Sequence, residues 1–373
     1  MRNALQKKRI HQLRKRLGQA ADSKCDGIWI IQPENRRYLS GFKAEDAQLN
    51  ESSGSLLIDG NHCLLVTDSR YTLDAEREAK GFEIHTLKGG LEDGLPEVWG
   101  RLGASTWGFE ADYVTWGLHR QLCETLHAHA PAIRLVPVTG LVEEMREVKD
   151  THEIRASETS ARMISSVLDE VIPWLKPGLT EKEVARRIED LAMEKGADRL
   201  AFPSIVASGP NSALPHAVPT GRKLRKGEPI ILDVGVRLNG YCSDMTRTVF
   251  LGNPRAAFKD IYKTVREAQR RALEKIGVGV ASDVPDAAAR EFIRHAGFGD
   301  YFGHGLGHGV GLATHEGPRL APRKPVTLKK GMIVTVEPGI YVPGKGGVRL
   351  EEMVVLEREG PRILTKNDHF YDF

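Results

Sequence analysis

The sequence predicts two domains, a smaller α/β unit followed by a larger α+β unit whose strands are mainly antiparallel. Three observations carry this. At 373 residues the chain is long for one compact domain and comfortable for two. Up to about residue 140, β-branched apolar runs alternate with charged, helix-prone ones. Beyond that point, apolar runs come in pairs joined by glycine-containing turns.

In chain order, Ile10, Leu13 and Leu17 fall at helical spacing among charges. The first sixteen residues hold seven Lys or Arg and no acid but have no apolar stretch, so they read as an amphipathic surface helix and not as a targeting peptide. Residues 27–31 and 63–67 read as strands, and 73–80 as a helix. A charged stretch over 136–150 enters a long helix with the apolar stripe Ile154, Met163, Ile164, Val167, Leu168, Val171 and Ile172. The domain boundary is therefore placed near residue 147, giving units 1–146 and 147–373. Thr180 and Glu183 have capping-box spacing ahead of Val184, Ile188 and Leu191, with Gly196 as the stop. Phe258, Ile261, Val265, Ala268, Ala272 and Ile276 predict a helix over 255–276. Residues 229–236 with 241–251, and 332–342 with 348–357, read as two hairpins.

Composition excludes several function classes. A formal charge of +3, set against 53 basic and 50 acidic residues, provides no field suited to nucleic acid or a membrane surface. No run approaches the roughly 18 apolar residues of a spanning helix. The four cysteines, Cys25, Cys63, Cys123 and Cys242, form no CxxC pair and no disulfide framework. The expected setting is cytoplasmic.

Acids interrupt the apolar strands of the second unit. Asp233 lies within Ile230-Ile231-Leu232-Asp233-Val234, and Asp244 follows eleven residues later in the partner strand. Two carboxylates facing each other across a hairpin repel unless a cation intervenes. A metal would supply it, and so would Arg247 or Arg237. The run 303–311 places glycine at every second position, a pattern no helix tolerates, so His304 and His308 are not a helical zinc pair despite their spacing. His315 follows closely. A P-loop reading of Gly339 to Lys345 fails, because Gly346 stands where Ser or Thr should hold magnesium and the segment joins two strands. Glu337 directly precedes Pro338, and strand alternation puts Val348, Leu350, Val354 and Leu356 on the face of Glu352, leaving Arg349 and Glu351 toward an open site. Four carboxylates, Asp233, Asp244, Glu337 and Glu351, match the charge of two divalent cations, with His308 as a neutral nitrogen ligand. Such oxygen-rich ligation suits Mn, Co, Fe or Zn.

The ordered set Asp, Asp, His in a glycine-rich loop, Glu before Pro-Gly, and Glu in Gly-Val-Arg-Leu-Glu resembles the metal signature of the pita-bread metallopeptidases over roughly residues 150–373. Leu214-Pro215-His216 and Thr314-His315-Glu316 match that family's two other histidine motifs. The region around Arg37-Tyr38-Leu39-Ser40-Gly41-Phe42 is similar, more loosely, to the N-terminal domain of its proline-peptidase and creatinase branches.

The resemblance implies a C-terminal pita-bread fold, a curved and mainly antiparallel sheet with helices on its outer face, behind a creatinase-like α/β domain. It implies hydrolysis of the peptide bond preceding proline, of prolidase or aminopeptidase P type, by hydroxide held between two metals, Mn foremost, with Co, Zn or Fe as alternatives. Asp233, Asp244, His308, Glu337 and Glu351 would be the ligands, with Glu337 also moving a proton and His216 and His315 donating to substrate. His304 would line the proline-side pocket. Arg349 would orient a ligand carboxylate near the substrate or form a structural salt bridge. Arg319 would grip a substrate carboxylate, and Tyr341 would shape the pocket or simply pack. A homodimer is the family expectation. A methionine-type aminopeptidase and a noncatalytic peptide-binding relative are the rival readings, against which stand the length of the N-terminal region and the intact ligand set.

Overall fold

The computed structural model describes residues 2–18, 24–46, 48 and 51–373. The chain divides into two compact units, Met1–Met145 and Arg146–Phe373.

The first unit is built on a mixed six-stranded sheet in the order Glu83–Leu87, Cys63–Asp68, Ser55–Asp59, Gly27–Ile30, Thr106–Glu110, Arg134–Val138. The β-branched and aromatic content of Gly27–Ile30 fits a central strand, buried at every position, with an antiparallel neighbour on one side and a parallel one on the other. Trp29, Trp99 and Trp107 fill the core beneath it, Trp29 meeting Trp99 edge-on at 5.7 Å. The amphipathic helix expected at the start spans Arg2–Leu17 and buries Ile10, Leu13 and Leu17.

In the second unit every strand pairing is antiparallel among the described residues. The sheet Met245–Phe250, Pro229–Val234, Ile205–Ser208 is covered by the helices Thr151–Trp174 and Glu181–Glu194, through Ile164, Val167, Leu168, Val184 and Ile188. Both helices open on capping boxes: Thr180 with Glu183 as expected, and Asp150 with Glu153, which the sequence reading passed over. The five-stranded sheet Glu316–Leu320, Gly307–Gly309, Ile333–Val336, Glu352–Glu357, Gly360–Ile363 is covered by the helices Ala256–Lys275 and Asp283–His295, where Ile261, Val265, Ala268 and Ile293 meet Val334, Val354 and Leu356. Burying each large aliphatic side chain in these layers contributes about 1.5–3 kcal/mol before entropy is counted.

One expected hairpin is differently built. Residues 332–342 and 348–357 do not pair end to end. Ile333–Val336 pairs with Glu352–Glu357, while Gly339–Val342 pairs with Gly346–Arg349 in a separate two-stranded ribbon. Pro338 is the physical cause, since it has no N–H to continue the ladder. Glu337 and Glu351 both occupy the resulting break, where the Glu337 N–H turns to the Leu306 carbonyl at 2.8 Å and the Glu351 N–H to the Thr246 carbonyl at 3.1 Å.

Candidate metal centre

Strand ends and strand interruptions bring the acids together. Asp233 sits one residue before the end of Pro229–Val234, and Asp244 directly precedes Met245–Phe250. His308 is the middle residue of the short strand Gly307–Gly309. The glycines of that strand are required by close packing: a Cβ on Gly307 would lie 2.1 Å from the Thr335 carbonyl oxygen, and one on Gly309 would lie 2.0 Å from that of Gly317. Among the described residues, Asp244, His308 and Glu351 each offer a ligand atom, all within 4.8 Å of one another. His308 Nε2 is also 3.3 Å from Glu337 Oε1 and 3.6 Å from Asp244 Oδ2.

The supports around these groups orient them. His308 Nδ1 lies 3.0 Å from its neighbour's carbonyl, Gly309 O, which leaves Nε2 directed at the carboxylates. The Thr335 hydroxyl donates to Glu337 at 3.1 Å and accepts the His308 N–H at 3.0 Å. Thr246 donates to Glu351 Oε2 at 2.7 Å and accepts from Arg349 Nε at 3.1 Å. Arg349 pairs with Asp233 Oδ2 at 2.5 Å and donates to the Tyr341 hydroxyl at 2.8 Å, which in turn lies 3.0 Å from His304 Nε2. His304 Nδ1 reaches Gly305 O at 2.7 Å, so the Tyr341 hydroxyl is the donor to Nε2.

Charge is unbalanced here. Burial pushes the Asp244 and Glu351 carboxyls well above the ordinary carboxylate range, and neighbouring negative charges push the same way. Burial also raises Asp233, against the pull of Arg349. Glu337 goes the other way: burial opposes its charge, yet the His308 hydrogen bond and charge hold it at about 2. The same contact keeps His308 above its ordinary value despite burial. His315, stacked edge-on against His308 at 4.3 Å between ring centroids, is lowered by burial and then by the positive charge of His308, Arg319 and His216.

Asp233 Oδ1 is buried and has no hydrogen-bond partner. An orphaned carboxylate oxygen, three further acids and an imidazole nitrogen fit divalent cations, which would satisfy the oxygen and balance the charge. Of the arginines the sequence offered as alternatives, Arg247 pairs with Glu352 at 2.8 Å and Arg237 Nε donates to Gly240 O, while the arginine paired with Asp233 is Arg349.

Residues 155–358 match the family model described as Metallopeptidase family M24, and residues 9–148 match the Creatinase/Prolidase N-terminal domain. The chain belongs to metallopeptidase family M24. An uncharacterized peptidase of Bacillus subtilis is 37% identical over 96% of this chain and 97% of its own length. The structure of a Xaa-Pro dipeptidase from Bacillus anthracis is similar at a TM-score of 0.90 and 36% identity, covering 97% of this chain and 98% of that one. That of an X-Pro aminopeptidase from Thermotoga maritima is similar at 0.82 and 37%, covering 94% and 97%. The pita-bread architecture expected of the M24 unit and the creatinase-like domain ahead of it are therefore both present. No helix among the described residues is long and apolar enough to cross a membrane.

Within this M24 site the remaining expected residues are distributed unevenly. His216 is exposed on a loop, and Arg319 is exposed opposite His308 in the strand pairing. Tyr341 is buried, packed near Ala207 and Ile231, with only its hydroxyl in the network. Arg349 is 3% exposed and already engaged by Asp233 and Tyr341. Glu351, expected toward an open face, is 2% exposed because Thr246 and its neighbours close over it.

Sequence reasoning missed Thr246, Thr335 and the pair Asp286–Arg290. Arg290 donates to the carbonyls of Phe302 and His304 at 3.0 and 2.6 Å, while Asp286 accepts the Leu306 N–H at 3.0 Å, so the pair holds the glycine-rich loop. The i, i+4 spacing of Asp286 and Arg290 on the helix Asp283–His295 was the available signal.

Proposed function

We propose that this enzyme hydrolyses the peptide bond preceding proline, with two divalent cations held by Asp233, Asp244, His308, Glu337 and Glu351. The observation that carries it is the crowding of carboxylates at one imidazole, with the buried Asp244 and Glu351 in one cluster with His308, Glu337 3.3 Å from it, and the partly buried Asp233 leaving Oδ1 unpartnered, in a chain similar along both units to Xaa-Pro peptidases. Divalent cations bound there supply an activated water and a Lewis acid for the scissile carbonyl.

The chain's own groups do the rest. Glu337, ionised at neutral pH, accepts the proton of the attacking water and returns it to the leaving nitrogen. His315 donates a hydrogen bond to the carbonyl oxygen as negative charge develops there, and His216 donates to the substrate backbone. His304, with its ring 5.1 Å from Phe302 and 5.6 Å from Tyr341, borders the proline-side pocket. Arg319 receives the carboxylate of a dipeptide. Arg349 holds Asp233 in place from behind. Mn is the metal proposed, with Co, Zn and Fe able to occupy the same donors. The working form is a cytoplasmic homodimer.

The test is hydrolysis of Xaa-Pro dipeptides, Xaa-Pro-Yaa tripeptides and a Met-Ala-Yaa control by chelated protein reloaded with Mn, Co or Zn. Cleavage of dipeptides alone identifies a prolidase, and cleavage of tripeptides at the first bond an aminopeptidase P. Metal-dependent cleavage of the methionine peptide alone would overturn the proline assignment.

A further inference from the structure

Glu181 opens the helix Glu181–Glu194, and it is fully buried. The helix dipole favours an acid at that position, but complete burial is expensive unless hydrogen bonds replace the lost water. The replacements all come from outside the helix. Oε1 accepts from the Ser208 N–H and hydroxyl, both at 2.8 Å. Oε2 accepts from the Thr220 N–H at 3.0 Å and its hydroxyl at 2.6 Å, and Asn211 Nδ2 stands 3.1 Å from both oxygens.

These donors lie at the two ends of one segment. Between Ser208 and Thr220 the chain makes a single turn of 3₁₀-helix, Gly209–Ala213, and then carries Leu214, Pro215 and His216 outward. Leu214 and Val218, flanking His216, are 58% and 78% exposed, so apolar burial at the tip comes down to Ala217, packed with Ala207, Ile231 and Tyr341. Polar anchors supply the rest of its order. Two act at the middle, where Ser212 Oγ accepts the Gly347 N–H at 2.8 Å and Arg349 Nη1 donates to the Pro215 carbonyl at 3.2 Å. Glu181 joins the two ends through one carboxylate, beside two direct links between them, Asn211 Nδ2 to Thr220 Oγ1 at 3.3 Å and Arg222 Nη1 to Ser208 Oγ at 2.6 Å.

We infer that Glu181 is a positioning residue for His216: it closes the 208–220 loop and thereby sets where the imidazole meets substrate. The inference rests on His216 contacting substrate. Glu181→Gln tests it with little change in shape, because one acceptor oxygen becomes an NH₂ facing donors of Ser208, Thr220 or Asn211.

The experiment compares Mn-loaded wild type, Glu181→Gln, His216→Ala and the double variant for kcat, KM, metal content and amide hydrogen exchange over residues 209–219. The expected result for Glu181→Gln is a fall in kcat of about tenfold or more, faster exchange in the loop and unchanged metal content. The double variant should be no slower than His216→Ala, because an unplaced imidazole and an absent one are equivalent. Wild-type kcat in Glu181→Gln, or a double variant slower by the product of the two single effects, overturns the inference alone. Full activity in His216→Ala overturns the reading of His216 and the inference with it. Should Glu181→Gln fail to fold, Thr220→Val removes the 2.6 Å donor from the loop side. A lower kcat with metal retained then supports the inference, and wild-type kcat overturns it.

Discussion

Glu110 in the first unit and the pair Asp244 and Glu351 in the second are all buried acids, yet they are treated differently. Glu110 receives the N–H groups of Ile31 and Gln32 at 2.6 and 2.7 Å and the Asn35 side chain at 2.6 Å, which ties the sheet strand Thr106–Glu110 to the start of the helix Pro33–Ser40. Its donors are those of the fold. Asp244 has His308 Nε2 at 3.6 Å, Glu351 has one threonine hydroxyl, and both face further negative charge. An acid met by protein donors serves folding. Acids that crowd one another with too few donors call for something added to stabilise them, here the proposed cations.

The strongest way to break this comparison is to remove one crowded acid. Asp244→Asn or His308→Ala should lower kcat/KM by about 10³-fold or more and release metal while the metal-free protein stays folded, because the crowded carboxylates contribute no stability without cations. Full activity and metal content in either variant would sink the distinction.

Glu110 sharpens the other side. Burial, partly offset by its donors, raises its carboxyl from 4.5 to about 7. The folded state then holds a proton that the unfolded chain has already lost between those values. Stability should therefore fall as pH rises from about 4.5 to about 7 and level off above, by up to roughly 3 kcal/mol, and Glu110→Gln should flatten that slope in denaturant titrations.

Metal should act on the second unit in the opposite sense to chelation. Adding Mn at a hundred times its Kd to chelated protein should stabilise it by about 2.7 kcal/mol, read as a concentration-dependent rise in Tm. A Tm indifferent to Mn would remove the reason for the crowding. The smallest effect is expected at Arg349, which touches no proposed cation directly. Arg349→Met should weaken metal binding by about 10–100-fold through misplacement of Asp233, measured by titration with chelator.

Much of this molecule is legible along the chain. The capping box at Thr180 and Glu183, the helix Ala256–Lys275 and the non-helical run around His308 all follow from periodicity, spacing and glycine content within a few residues. The five proposed ligands stand out for a similarly local reason, since each is an acid or histidine set in or beside an apolar or glycine-rich stretch. The resemblance pointed to Arg349 as the group that orients a ligand carboxylate, but which carboxylate it holds, and the other partners, were not legible. Arg349 reaches Asp233 across 116 residues, Thr246 reaches Glu351 across 105, and Glu181 reaches Thr220 across 39. Nothing in local pattern distinguishes Arg349 from Arg247 as the cation for an aspartate. That choice was made by the strand break at Pro338, which turns Arg349 and Glu351 into the site and sends Arg247 to Glu352. The sequence by itself determined which acids and histidines interrupt apolar or glycine-rich stretches and which segments are helices or strands, because those properties are local. Tertiary structure alone decided which groups neutralise, orient or crowd one another, because strand pairing sets distances that spacing along the chain does not encode.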